Sequence, residues 1–487
     1  MTRFVNGITY WGQWARQRLS GGSLQANVVL LIGGASFSQA ILFVVSPIIS
    51  RLYTPADFGA VTAYSFLLTV LVAVNSLRYE YAIPLPQDDE DAVNLVAVCL
   101  TLVTLTSALF AGVFWLLDDE IARLLNAPEV RPLLWFLPAA LLLGGYVMTL
   151  NYWLTRKKRF TTVTNSQVRY NVVQAFVQIA LGVAGAGPFG LVFGHLFGQA
   201  QALFTLIRRA NLPRVAVSPR EWGRLIRTYR NFPLYSIWSS LLDVVGVNVP
   251  NVLFVMLFSL DAAGLLSMTF RVVRLPAGII SQAFAQSFYS HIAERQNDAE
   301  ASRVLLEKLA NILLIIAVPL FFFLIINGVE LFAFVLGDEW GTAGRYAQYL
   351  APSLITSFVY SPLSAYSFIK HAQRQILYRS LLMTGGRVVM LVLGGALGSP
   401  DAALILYSLL SVLVELWYIN WLLRLAGSNL VIWLRQISGF LIASLAALSI
   451  TALMSILIPP LATMVISLIA FGSIGLWYLR QHWQTVS

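Results

Sequence analysis

Residues 262–290 read AAGLLSMTFRVVRLPAGIISQAFAQSFYS, an apolar stretch long enough to cross a bilayer that carries Arg271 and Arg274 near its middle. Each arginine at the centre of a spanning helix costs on the order of 2.5 kcal/mol or more even on insertion scales, so two of them require an anion, a carboxylate or water. Three residues apart, they share one helix face and present two guanidinium forks in one direction. Such a pair suits a single phosphate-bearing ligand.

The rest of the chain reads as a membrane shell around that positive interior. Of its 487 residues 58% are hydrophobic and only 11% charged, with a mean hydropathy of +0.74, far from a soluble domain. Long apolar runs recur from end to end, and none shows the alternation of an outer-membrane barrel strand, so the fold class is all-α polytopic membrane protein. About fourteen spans are expected, at about 26–49, 60–83, 93–117, 132–154, 168–187, 188–207, 232–257, 262–290, 304–327, 345–368, 376–398, 400–423, 437–458 and 460–479. The breakers Gly185-Ala-Gly-Pro-Phe-Gly190 and Pro459-Pro460 mark tight hairpins. Five regions follow: a basic, aromatic N-terminus 1–25, an N-lobe 26–207, a basic linker 208–231, a C-lobe 232–423, and two extra helices with a tail, 424–487. A short echo links the lobes, because Thr54-Pro-Ala-Asp57-Phe-Gly59 precedes span two and Ser259-Leu-Asp261-Ala-Ala-Gly264 precedes span eight. Two parallel six-span repeats would explain it.

The net charge of +10 reports orientation before it reports partners. With the N-terminus inside, about 24 of the 32 Lys and Arg fall in cytoplasmic segments, so both termini are cytoplasmic and no nucleic-acid partner is implied. Arg78, Arg271, Arg274 and Arg387 fall within spans. The single Cys99 leaves no intramolecular disulfide, and four dispersed histidines give no metal-ligand spacing. No P-loop, Rossmann glycine run or nucleophile elbow occurs, so neither a cofactor nor direct ATP coupling is expected.

Arg78, Arg271 and Arg274 are the candidate anion-binding residues. Asp243 in span seven, and Glu415 in span twelve opposite Arg387 in span eleven, are candidates for charge pairing or for coupling to H+ or Na+.

The opening stretch Ile49-Ser-Arg51-Leu-Tyr-Thr-Pro-Ala-Asp57-Phe-Gly59, the span ending Leu77-Arg78-Tyr-Glu80-Tyr-Ala-Ile-Pro84 and the acidic turn Asp88-Asp-Glu-Asp91 resemble the Wzx-like flippases. These form the polysaccharide-transporter branch of the multidrug/oligosaccharidyl-lipid/polysaccharide exporter superfamily. The resemblance implies a two-lobed bundle in the bacterial cytoplasmic membrane. By alternating access it would move an undecaprenyl-pyrophosphate-linked oligosaccharide outward for O-antigen, capsule or exopolysaccharide assembly, beside polymerase or ligase machinery. It also implies a cationic cavity drawing arginines from spans one, two and eight, although span one here has only Arg51 at its outer end. Spans thirteen and fourteen would form a groove for the prenyl tail. The alternatives are a drug or cation exporter of the same superfamily, which would favour an acidic cavity, and a membrane glycosyltransferase or ligase. The latter would need a sizeable outer loop, and the longest expected one is 327–344.

Overall fold

The computed structural model describes residues 41–213, 219–274, 278, 299–370 and 372–483. They are helical almost throughout. After a helical segment at 41–49, the helices are α1 (Pro55–Asn75), α2 (Asp89–Leu124), α3 (Leu137–Arg156), α4 (Phe160–Val183), α5 (Pro188–Ala210), α6 (Pro219–Thr228), α7 (Ile237–Leu257) and α8 (260–274). Then follow α9 (Ala299–Leu336), α10 (Gly341–Leu363), α11 (Gln373–Ala396), α12 (Pro400–Leu425), the short α13 (Leu430–Gln436), α14 (Ser438–Leu457) and α15 (Pro460–Trp483). Among the described residues ten helices are long and apolar enough to cross a membrane. Helices α4 and α10 match them in length with more polar sequences. Most of the expected first span, and the expected eighth beyond Arg274 apart from Gly278, lie outside the described residues.

Three expected boundaries change. Span two stops at Asn75 rather than Ile83, because Leu77 and Arg78 are left-handed (φ 52° and 63°) and a 3-10 turn, Tyr79–Ala82, follows. The Asn75 amide is held by the Leu141 carbonyl at 2.9 Å. Helix α2 breaks at Leu117, whose backbone is non-helical (φ −125°, ψ 17°), so its continuous part, 89–116, is about 42 Å long at 1.5 Å per residue; α9, of 38 residues, is about 57 Å long, and both outrun a hydrocarbon core of about 30 Å. Finally, 327–344 is no open loop. Helix α9 continues to Leu336, and a 3-10 turn, Asp338–Trp340, leads into α10.

The chain divides into two compact units. Unit one holds Leu67–Asp118, Pro132–Val244 and the described part of Met1–Val45; unit two holds Ser46–Phe66, Asp119–Arg131 and Val245–Ser487. In unit one, the described parts of the basic segment, 208–213 and 219–231, are bound into the fold. Leu225 of α6 is buried in a core with Tyr79, Val96, Leu154 and Leu206, and the Tyr79 hydroxyl donates to the Ile226 carbonyl at 3.2 Å. Arg224 pairs with Asp91 and with Glu221. Asp89 receives Arg156 and Lys157, while the Arg156 guanidinium also donates to the carbonyls of Pro84, Pro86 and Gln87. The acidic turn is therefore the socket for the basic ends of α3 and α6.

In unit two, the two echoing segments pack on each other. Thr54 and Asp57 cap α1 reciprocally, the Thr54 backbone N–H and hydroxyl each donating to the carboxylate at 2.9 Å. Ser259 caps α8 through its hydroxyl, which accepts from the Ala262 N–H at 3.1 Å. Five residues after each cap comes a glycine at the crossing. A Cβ on Gly59 would lie 1.9 Å from the Leu260 oxygen, and one on Gly264 would lie 1.8 Å from the Pro55 oxygen. Nearby, Ser50 donates to the Leu336 carbonyl and accepts through its own carbonyl from the Trp340 indole, both at 2.8 Å. These contacts border a cavity of about 440 Å³ that also includes Arg51, Asp338 and Glu339.

Overpacking at such a crossing costs roughly 3 kcal/mol. Gly264→Ala is expected to lower the melting temperature of the purified protein in nanodiscs. Gly112→Ala, where no atom lies within 4 Å of the added carbon, is expected to leave it unchanged or raise it. Equal melting of the two variants would contradict the crossing.

Candidate functional site

A cluster of charge lies inside unit two. Helices α11 and α12 form a hairpin closed by the Ser399 cap, whose hydroxyl accepts from the Ala402 N–H at 3.2 Å. They pack along each other, and α12 also packs on α10. On α12, Tyr407, Ser411 and Glu415 recur every fourth residue, and on α11 Arg379 and Arg387 lie eight apart, so each set occupies one helix face. The two faces meet.

Glu415 is 1% exposed. Its carboxylate accepts from the hydroxyls of Thr356 and Ser357 on α10 and pairs with Arg379 at 3.7 Å. Arg379 lies 3.9 Å from the centre of the Tyr360 ring, and its buried Nε has no hydrogen-bond partner. Two turns on, Arg387 Nε donates to the Ser411 hydroxyl at 2.9 Å, with its guanidinium 4.6 Å from the Tyr407 ring centre. Arg387 also interacts electrostatically with Glu415. Arg274, exposed on α8, stacks 3.6 Å from the Phe270 ring centre and interacts electrostatically with Tyr407 and Arg387. Among the described residues of this cluster, three guanidiniums thus accompany one carboxylate, and much of that carboxylate's hydrogen-bonding capacity is already taken by hydroxyls. Aromatic faces stabilise a cation without neutralising it. The arrangement leaves donors and positive charge for an anion.

The sequence candidates separate in space. Arg274, Arg387 and Glu415 belong to this cluster, and Arg271 is half-buried one turn before Arg274 on α8. Asp243 lies on α7, with its side chain outside the described residues. Arg78 belongs to unit one and lies in the turn after α1, not within a span. There it pairs with the fully buried Glu80 at 3.3 Å and donates to the Tyr81 hydroxyl at 3.1 Å, while Ser76 also donates to Glu80. The expected Arg387–Glu415 pair is corrected in its detail, because the ion pair of Glu415 is made by Arg379. Sequence reasoning did not single out Arg379, although it lies inside the expected span 376–398. Its eight-residue spacing from Arg387, matched by Tyr407 and Glu415 on α12, was the available signal.

Breaking a buried ion pair by deleting one partner costs about 3–5 kcal/mol. Arg78→Met is therefore expected to destabilise the protein by that order in thermal melts, and Arg78→Met with Glu80→Gln to recover most of the loss. A double variant no more stable than the single would remove Arg78 from this structural pairing.

Known proteins share both the sequence pattern and the fold. The succinoglycan biosynthesis transport protein ExoT of Rhizobium meliloti (strain 1021) is 24% identical over 308 residues, covering 62% of this chain and 60% of ExoT. The match therefore spans less than two thirds of that relative. The structure of the lipid II flippase MurJ in an inward closed conformation superposes with a TM-score of 0.73 at 12% identity, covering 93% of this chain and 99% of that one. An inward-facing multidrug resistance MATE family transporter of the MOP superfamily gives a TM-score of 0.59 at 15% identity, covering 80% and 94%. These likenesses show the fold, a multi-pass all-α membrane protein of MurJ- and MATE-like architecture. The family model described as polysaccharide biosynthesis protein matches residues 48–345, and the chain belongs to that family.

Proposed function

We propose that this protein is a flippase that carries an undecaprenyl-pyrophosphate-linked oligosaccharide from the cytoplasmic to the outer face of the bacterial cytoplasmic membrane by alternating access. The observation that carries the reading is the excess of guanidinium over carboxylate around Arg274 and Arg387 in unit two. A pyrophosphate cannot cross hydrocarbon unaided. A protein that moves it must offer charge and hydrogen-bond donors to the headgroup, and arginine does this with a fork matched to phosphate oxygens. Family membership, and the transport role named in the succinoglycan biosynthesis transport protein ExoT, point the same way.

The excess of positive charge favours this reading over export of cationic drugs, which would be repelled by three guanidiniums. Continuous helix from Ala299 to Leu336 also removes the outer loop that a ligase reading needed. An apolar cavity of about 210 Å³, lined by Leu314, Val318, Phe322 and Trp433 among others, offers unit two a surface for hydrocarbon. Under this reading Arg271 and Arg274 receive the headgroup, and Arg78, already paired with Glu80, shapes the end of α1.

The test is complementation of a polysaccharide-flippase null strain, with expression of every variant checked. Wild type is expected to restore surface polysaccharide. Arg271→Ala with Arg274→Ala is expected to lose at least 90% of the rescue, and the paired lysine variants to retain part. Full rescue by the well-expressed alanine variant would overturn the reading.

A further inference from the structure

The geometry points to a second anion site in unit two, on the facing surfaces of α11 and α12, in which Arg379 and Arg387 bind a diphosphate and Glu415 is the internal stand-in that the diphosphate replaces. Three observations meet there. Arg379 is mostly buried, yet its Nε–H has no acceptor, and its link to Glu415 is a loose 3.7 Å contact rather than a two-bond fork. Glu415 is held by Thr356 and Ser357, so it keeps hydrogen-bond partners when Arg379 turns away. Arg387 uses only its Nε on Ser411, and both guanidiniums lie against tyrosine rings that fix their planes without neutralising them.

The structural pair Arg78–Glu80 shares the single contact, the hydroxyl-held acid and the tyrosine ring. What differs here is that two guanidiniums, Arg379 and Arg387, accompany the one acid. Two guanidiniums eight residues apart on α11 stand about 12 Å apart along the helix axis, and their long side chains can converge on the two phosphoryl groups of one diphosphate. The site shares Arg387 and Glu415 with the charge excess that carries the transport reading and so rests on that reading, whose own complementation test addresses the separate pair Arg271 and Arg274.

The sign of one substitution separates this site from a structural pair. Full-length protein in zwitterionic nanodiscs would be titrated with inorganic pyrophosphate and, separately, with farnesyl diphosphate, with thermal melting of each variant recorded first. Glu415→Gln keeps the shape and removes the competing charge, so it is expected to bind both probes about tenfold more tightly. Arg379→Gln is expected to bind at least tenfold more weakly, and Arg379→Lys to fall between Gln and wild type. Tighter binding of farnesyl diphosphate than of pyrophosphate would assign the site to a lipid-carried headgroup, and equal binding to the free anion; either supports a diphosphate site. Unchanged or weaker binding in a folded Glu415→Gln protein would overturn it, as would unchanged binding in Arg379→Gln. The readout is equilibrium binding, so its failure leaves the transport reading standing if rescue still depends on Arg271 and Arg274. Loss of that dependence with this binding intact would remove the transport reading alone.

Discussion

The crossing of α1 and α8 fixes where charge can enter unit two. Gly59 and Gly264 each sit where a single added carbon would strike the other helix's backbone, so the two helices meet at one register. From Gly264 the helix rises about 10 Å to Arg271 and about 15 Å to Arg274. Those distances are a third to a half of a hydrocarbon core of about 30 Å. The caps at Thr54 and Ser259 start each helix five residues before its glycine, and so a local hydrogen-bonding choice sets how far along α8 the two arginines lie from the crossing.

Buried and clustered charge is handled in two different ways. In unit one the chain neutralises locally: Arg78 turns back on Glu80, Tyr81 and the left-handed step before them, and the acidic turn at 88–91 receives Arg156, Lys157 and Arg224. Each of these four cations has an anion. Among the described residues of the α8–α11–α12 cluster in unit two, one carboxylate accompanies three guanidiniums, and hydroxyls and aromatic rings supply the remaining orientation. Burying an ion costs several kcal/mol after relaxation, so an excess of cations persists only where water or a ligand enters.

Much of this was legible in the sequence because hydropathy and positive charge are read over windows. The helical class and most of the run of long apolar helices come from composition and spacing alone. What the windows could not read was local. Asn75 and Ser76 are apolar enough in context to be averaged into a span, but their side chains bind Leu141 and Glu80, and the helix ends there. The segment 208–231 looks like a linker because it is basic, and only the acidic turn more than a hundred residues earlier makes it part of unit one. Arg379 falls inside an expected span, but its partner Glu415 lies on the next helix, and a window centred on either residue does not see the other.

The echo between Thr54–Gly59 and Ser259–Gly264 illustrates the opposite case, in which a weak sequence signal had a direct physical cause. Two segments related by duplication need not touch, yet these two cap their helices and cross each other in unit two. A cap followed five residues later by glycine is what such a contact requires of each partner: the cap starts the helix, and the glycine lets its second turn approach another backbone. Because each segment supplies the same parts, one motif met by its own copy is sufficient to build the joint. The resemblance between the segments is therefore also a packing rule, and it would be retained at Gly59 and Gly264 even if every other trace of the repeat were lost.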